Sequence, residues 1–377
     1  MREDEKKSPQ SELDFEGKRA SEEIKAEAKA KVEEDVEAKP GLLFVSASPH
    51  IRDDVSVPRI MYSVVIALLP ALIGAVYFFG ARALWLILIA VVTSVVAEAL
   101  MQKVMHRPIT VSDGSAIITG MLLSFNLPGG VPMWMPIVGS VFAIAIGKMV
   151  FGGLGYNPLN PALLGRAFLL ASWPAHMTTD WTPTITGTMT GFDTVTKATP
   201  LGVLQEAHRI LADPAATVEK MAQAKEAIEH LSTTYGNLFW GNVSGCIGET
   251  SVILLLLGAG YLLYKKFIDW RIPLFYIATV ALLTWILGGT GGAFSGDPLF
   301  HILAGGLILG AFFMATDMVT TPVTVKGRYI FGLGCGVLTV VIRLWGGYPE
   351  GVSYSILFMN AFTPLIDRWT KPRRFGA

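Results

Sequence analysis

The stretch Phe192–Gly202, FDTVTKATPLG, sets three threonines within six residues, Thr194, Thr196 and Thr199, beside Asp193 and Lys197. An isolated threonine hydroxyl is a poor nucleophile, so covalent chemistry at any of the three would need an outside catalyst. Thr199 precedes Pro200, and the residue before a proline is driven to extended backbone. It reads as an exposed side chain whose hydroxyl is held off the local backbone. Asp193 and Thr196 can close side-chain turns that shape the loop. The residues alone leave two readings open, a polar turn that happens to carry threonines and a loop built to present one of them. Cys246 and Cys335 are too few and too isolated for a disulfide framework, a CxxC zinc site or a four-cysteine iron–sulfur site. No GxGxxG opens a βαβ unit, which argues against a nucleotide-binding domain.

The elements that must position this loop are membrane elements. The 377 residues are 52% hydrophobic and only 16% charged, with a mean hydropathy of +0.49, more apolar surface than one soluble core would use. The net charge is zero, so no basic balance points to nucleic acid. Residues 1–45 differ: SELDFEGKRASEEIKAEAKAKVEEDVEAKP is rich in Glu, Lys and Ala, with apolar positions too sparse for a buried face. It reads as a solvated helix or tail. The start shows no basic segment followed by an apolar core, so the N-terminus is expected in the cytoplasm.

From Arg59 onward, apolar runs near the length needed to cross a bilayer are expected at about 60–80, 83–103, 114–128, 132–151, 158–174, 249–265, 272–289, 298–316, 329–347 and 351–368. The third, DGSAIITGMLLSFNLP, is short enough to be broken or re-entrant. Alternating sides from an inside N-terminus puts Arg59, Lys103, Arg107, Lys148, Lys265, Lys266, Arg271, Lys326, Arg328, Arg368, Lys371, Arg373 and Arg374 inside, whereas the short outside loops carry little beyond Arg82. That asymmetry follows the positive-inside rule and supports ten crossings with both ends in the cytoplasm. Residues 175–248, and Thr199 with them, then face outside.

The segment FGGLGYNPLNPALLGRAF at 151–168 aligns weakly with WGGYPEGVSYSILFMNAF at 345–362, pairing the fourth-to-fifth junction with the ninth-to-tenth. A five-span repeat has an odd number of crossings, so its second copy is inverted. The expected fold is an all-α polytopic membrane protein of about ten helices in two inverted repeats, 46–174 and 249–370, joined by an external loop, 175–248, with a short basic tail at 371–377. Within the loop, DPAATVEKMAQAKEAIEHL reads as a surface helix capped by Asp213, with Pro214 in its first turn and Val218, Met221, Ala224, Ile228 and Leu231 on one stripe. Such an architecture also suits a channel or transporter for small solutes.

The stretch DTVTKATPLG resembles the family that contains the D subunit of the Rnf electron-transport complex and the B subunit of the sodium-translocating NADH:quinone oxidoreductase. So do SASPHIRDDVSVPRIMYSVVIALLPALI, GGLGYNPLNPALLGRAFLL, GETSVILLLLGAGYLLYKK, GAFFMATDMVTTPVT and YPEGVSYSILFMNAFTPLID, in family order across roughly residues 45 to 370. SASPH and the proline after the last threonine look more like the Rnf protein. The resemblance implies FMN joined through its phosphate to Thr199, within the motif Asp193-x-x-Thr196-x-Ala198-Thr199, installed by a separate flavin transferase. Such a phosphoester leaves the isoalloxazine ring free for one-electron chemistry. Lys197 stands where many relatives have glycine; the departure bears on transferase recognition, or on pairing with the FMN phosphate. The resemblance also implies a second, non-covalent flavin such as riboflavin, partner membrane, flavin and iron–sulfur subunits, and a bacterial cytoplasmic (inner) membrane location. The activity it implies is electron transfer between ferredoxin and NAD coupled to Na⁺ or H⁺ translocation, with the quinone-reducing relative as the alternative.

Charges inside the spans are costly and need a reason. Arg166, mid-way along the fifth run and opposite Asn360 in the repeat alignment, is read either as a counter-charge for a flavin or quinone-like carrier or as an interhelical bond. Glu98, Arg343 and Asp367 lie near span ends, where they can snorkel or cap. Asp113, Asp317 and the threonines beside them could line a cation path.

Overall fold

The computed structural model describes residues 55–181, 199–213, 215–233, 235–249, 251–289, 292–347 and 350–371, and among these the chain is helical apart from a single isolated β-bridge between Pro128 and Cys246. Residues 1–45, most of 371–377, and Asp193, Thr196, Lys197 and Ala198 of the threonine loop lie outside the described residues.

The first half contains α1 (Val57–Phe79), α2 (Ala81–Val104), α3 (Ser115–Phe125), α4 (Trp134–Ile144, running into a π-helical turn at Ala145–Met149), α5 (Pro161–Ser172) and the short α6 (Pro174–Thr178). Three helices, α7 (Pro200–Ala212), α8 (Val218–Thr233) and α9 (Tyr235–Trp240), connect the halves. The second half contains α10 (Val252–Tyr264), α11 (Arg271–Leu287), α12 (Pro298–Leu303), α13 (Leu307–Leu309, running into a π-helical turn at Gly310–Met314), α14 (Val325–Trp345) and α15 (Val352–Trp369).

A helix or helix pair therefore stands at each expected apolar run, but their lengths are unequal. Among the described residues three helices are long and apolar enough to cross a bilayer, α1, α2 and α14, while α3, α4 with its π turn, α5, α10 and α11 are shorter apolar helices. The reason is local. Helix α3 ends at Asn126, and NLPGG continues as non-helical chain whose carbonyls at Gly129, Gly130 and Val131 are met by the Arg82 guanidinium at 2.9–3.0 Å. The eighth run breaks between α12 and α13, where Gly305 and Gly306 take φ +71° and +67°, a region closed to most side chains. Arg343 of α14 donates to the freed carbonyls of His301, Ala304 and Gly305 at 2.5–3.2 Å. It caps a helix end from a position only 4% exposed, as its place near a span end allowed.

Neighbour relations repeat between the halves. In the first, α2 packs on α3 and α4, and α4 on α5; in the second, α11 packs on α12 and α14, and α14 on α15. The halves meet through α1 against α10 and α5 against α15. The first of these crossings is close: a Cβ on Gly258 would sit 1.9 Å from the Ala67 carbonyl oxygen, the small-residue contact that membrane helices use.

Three expectations are corrected. Glu98 does not snorkel: it is 1% exposed and paired with Lys148, which is 2% exposed, through two 2.7 Å contacts. Lys148 is thus no loop cation, because the π turn that carries it faces inward, where an unpaired charge would be prohibitive. Asp213 does not cap the connecting helix. It ends α7 and accepts from the Ala215 N–H at 2.9 Å, while α8 starts at Val218, which is 84% exposed; Ala224 and Leu231 are buried. Leu231 joins Leu201, Leu238, Phe300 and Ala304 in a small apolar cluster that seats α7 to α9 on α12.

Candidate functional site

Pro200 opens α7 and Thr199 is its N-cap. The backbone at Thr199 is extended, φ −72° and ψ 154°, as a residue before proline requires. Two features of the expectation are wrong. The hydroxyl is not held off the backbone, since Oγ1 accepts from the Gly202 N–H at 3.2 Å, and Thr199 is 7% exposed, not an exposed loop residue. Both follow from α7: a helix start leaves its first N–H groups without intrahelical partners, and a threonine at the cap satisfies one of them.

Thr199 opens onto a cavity of about 310 Å³, lined also by Arg166, Trp181, Gly202, Glu350 and Ser353. The two candidate residues that are described, Thr199 and Arg166, are brought to one site although 33 positions separate them. Arg166 lies on α5, whose start is fixed by the Asn160 side chain accepting from the N–H groups of Ala162 and Leu163 at 3.1 and 3.4 Å. It is 6% exposed and reaches across to the start of α15, where it pairs with the Glu350 carboxylate and donates to the Ser353 hydroxyl. Its Nε is buried and without a partner among the described residues. Asn360, set opposite Arg166 by the repeat alignment, lies further along α15, where turning its amide over lets it accept from the Asn160 N–H at 3.2 Å and donate to the Ile356 carbonyl at 3.3 Å.

Glu350 and Ser353 were not singled out from the sequence. The signal was a lone acid in GGYPEG, a stretch quoted above for the repeat and the family resemblance but not for its chemistry. Glu350 also links the cavity to the helix break, because its backbone carbonyl accepts from Arg343 Nε at 3.1 Å. Cys246, Glu249 and Glu350 each offer one ligand atom within 4.8 Å of the others. The donor set suits a metal poorly. Burial, with the Glu249 carboxylate beside it, pushes the Cys246 thiol well up, so it stays protonated, and Glu350 is already engaged by Arg166.

What the site can hold is an anion. The N-terminus of α7 brings the positive end of its dipole, although Pro200 has no N–H and those of Gly202 and Val203 are already taken by Thr199, and a buried guanidinium with an unused N–H lies across the same cavity. A phosphate at Thr199 fits that arrangement, and the cavity has room for an aromatic ring system beyond it.

The sequence model of the NQR2, RnfD, RnfE family matches residues 44–376. The chain belongs to this family. It is 50% identical over 342 residues, 91% of this chain and 98% of the relative, to the D subunit of the proton-translocating ferredoxin:NAD(+) oxidoreductase complex of Clostridium ljungdahlii. It is also 50% identical over 334 residues, 89% and 95% of the two chains, to the D subunit of the Na(+)-translocating ferredoxin:NAD(+) oxidoreductase complex of Acetobacterium woodii. The D subunit of an ion-translocating oxidoreductase complex from Stutzerimonas stutzeri is 40% identical over 340 residues, 85% of this chain and 92% of that one. The chain is accordingly a helical membrane protein of a redox-subunit family, and α5, α7 and α15, which build the cavity, all lie inside the matched region.

Proposed function

We propose that this chain is the D-type membrane subunit of an ion-translocating ferredoxin:NAD⁺ oxidoreductase, carrying FMN esterified to Thr199 and relaying electrons through it. The observation that carries the reading is the convergence of a capped helix N-terminus at Thr199 and the buried Arg166 guanidinium on one cavity. Thr199 would be the attachment point. Asp193, Thr196 and Ala198 would complete the motif that a flavin transferase reads. Arg166, held by Glu350 and Ser353, would fix the negative charge of the phosphate. Bound there, FMN supplies one-electron transfer, while the chain's own part is to anchor, orient and shield it. Riboflavin would be a second, non-covalent flavin. NAD and iron–sulfur chemistry belong to partner subunits. The quinone-reducing relative is less favoured because both relatives at 50% identity are ferredoxin:NAD(+) enzymes.

The architecture that goes with this reading is ten crossings in two inverted five-helix repeats at 46–174 and 249–370, with 175–248 outside and both termini in the cytoplasm of a bacterial inner membrane. Two observations support it. The neighbour pattern α2–α3, α2–α4, α4–α5 recurs as α11–α12, α11–α14, α14–α15, and the third run of each half falls short of one full-length helix, by early arrest at Asn126 in the first and by the break at Ala304–Gly306 in the second. Single cysteines at Ser232 and Thr370, with Cys246 and Cys335 replaced, are expected to react with an impermeant thiol reagent from opposite sides. Reaction of both from one side would exclude this topology.

The function is tested by tagging the chain in its native membrane and purifying it in mild detergent. The eluate is expected to contain further membrane and iron–sulfur subunits and to reduce NAD⁺ with reduced ferredoxin. A lone, monodisperse chain that passes those electrons unaided, or a flavin-free chain that conducts a solute, would overturn the assignment.

A further inference from the structure

Helices α11 and α14 pack side by side and both begin at the same end of the second half, where one carboxylate ties them together. Asp269 Oδ2 accepts from Arg271 Nη1 at 2.9 Å and from Arg328 Nη1 at 2.5 Å, while Oδ1 takes the Arg271 backbone N–H at 3.0 Å. Two guanidiniums share one negative charge, so the cluster keeps a net positive one. Their other bonds go to neutral oxygens: Arg271 Nε donates to the Tyr329 hydroxyl at 3.3 Å and Arg328 Nε to the Pro322 carbonyl at 3.2 Å. Each guanidinium therefore uses two of its five N–H groups among the described residues. With the side chains 30% and 32% exposed, the remaining donors are open to a ligand.

The surroundings add charge of the same sign. The stretch entering α11 carries the exposed Lys265 and Lys266 with no acid but Asp269, and the first turn of α14 carries the exposed Lys326 with none. The end of α15, joined to this end by Asp367 accepting from the Val323 N–H at 3.0 Å, sets that acid against Arg368 and Lys371. The excess is basic. The positive ends of the α11 and α14 dipoles reinforce it. Beyond the charges the helix surfaces turn apolar: Trp270, whose ring centroid lies 5.4 Å from the Arg271 guanidinium, is half exposed, and Leu274 follows it one turn along. On α14, Lys326, Ile330 and Leu333 stand at i, i+4 and i+7, so one exposed face runs from a cation onto aliphatic side chains. A basic head, a flanking tryptophan and an apolar stripe are what a helix end shows at a lipid headgroup layer.

We propose that this end of α11 and α14 binds one anionic phospholipid, its phosphodiester on Arg271 and Arg328 and its acyl chains along Leu274, Ile330 and Leu333. A single phosphodiester carries the one negative charge that the shared carboxylate leaves unmatched. Guanidinium forks fit phosphate oxygens, and the lysines around them draw an anionic headgroup to the membrane surface. A soluble phosphate would use the charge and leave the apolar stripe idle; a phospholipid uses both. The inference rests on the chain's place in a bilayer and on neither the flavin at Thr199 nor the number of crossings.

The test is native mass spectrometry of the intact complex, stripped of lipid in mild detergent and titrated with dioleoyl phosphatidylglycerol; it reads neither flavin nor electron transfer. Arg271→Gln and Arg328→Gln are each expected to weaken binding of one lipid by about tenfold, the loss of one charge-assisted contact. In each variant Asp269 keeps the other arginine, so the complex is expected to assemble like the wild type, as its subunit masses report directly. Lys103→Gln, which removes an exposed cation at the end of α2, is expected to bind like the wild type. Dioleoyl phosphatidylcholine, with the same chains and no net charge, should not fill the site, and excess glycerol 3-phosphate should not displace the lipid. Wild-type affinity in both arginine variants would overturn the proposal. So would an equal loss in Lys103→Gln, which would mean diffuse attraction, or displacement by glycerol 3-phosphate, which would mean a soluble ligand.

Discussion

Thr199→Asn is expected to abolish covalent flavin completely while leaving the helical fold assembled. Asparagine is as good an N-cap as threonine, so the Gly202 N–H keeps an acceptor and α7 keeps its start, but no hydroxyl remains to esterify. Thr199→Ala removes both functions and should also destabilise α7 by about 1 kcal/mol. The contrast separates capping from attachment, which the alanine variant alone cannot do. Thr194→Ala and Thr196→Ala should retain flavin, since neither occupies the acceptor position. The readout is covalent flavin per chain, set beside thermal unfolding of the detergent-solubilised protein. A flavin-bearing Thr199→Asn chain would show that the acceptor lies elsewhere.

Arg166→Met is expected to produce the largest loss of stability, about 3–5 kcal/mol, because it strands the Glu350 carboxylate in a site where the two side chains are only 8% and 12% exposed. Pairing it with Glu350→Gln removes the stranded charge, so the double variant should recover most of that loss. Flavin attachment should not recover with it, because the guanidinium proposed to meet the phosphate is absent from both. Unfolding of the single variant together with the wild type would deny the pair its structural part. Full flavin content in the double variant would deny Arg166 its part at the cofactor.

Much of the fold was legible because apolar runs of near-bilayer length have few other uses, and every expected run carries a helix. Boundaries and breaks were less legible. The arrest of α3 at NLPGG was visible in its proline and glycines, whereas the break at Ala304–Gly306 depends on Arg343, 38 to 42 positions away, being free to cap the exposed carbonyls. The inward turn of Lys148 was hidden for a similar reason. A lysine after an apolar run looks like a loop cation until its carboxylate partner, 50 positions earlier, is placed beside it.

The backbone of Thr199 was legible in the sequence and its surroundings were misread. ATPLG signals an extended residue before a proline, and that held, but the same letters are an N-cap followed by proline at the first helical position. The apolar residues of α7, Leu201, Val203, Leu204, Ala207, Ile210, Leu211 and Ala212, do fall at helical spacing and were passed over; the helix is seated by Leu201, which shares a buried cluster with Leu231, Leu238 and Phe300. Glu350 could not be found by spacing at all, since its partner Arg166 lies 184 positions away.

Attachment of flavin at Thr199 is tested most directly by one measurement, peptide mapping by mass spectrometry of the wild-type chain purified from its native membrane. The peptide containing Thr199 is expected to carry the mass of one FMN less one water, with fragmentation assigning it to that residue. An unmodified peptide, or an adduct on Thr194 or Thr196, would contradict it.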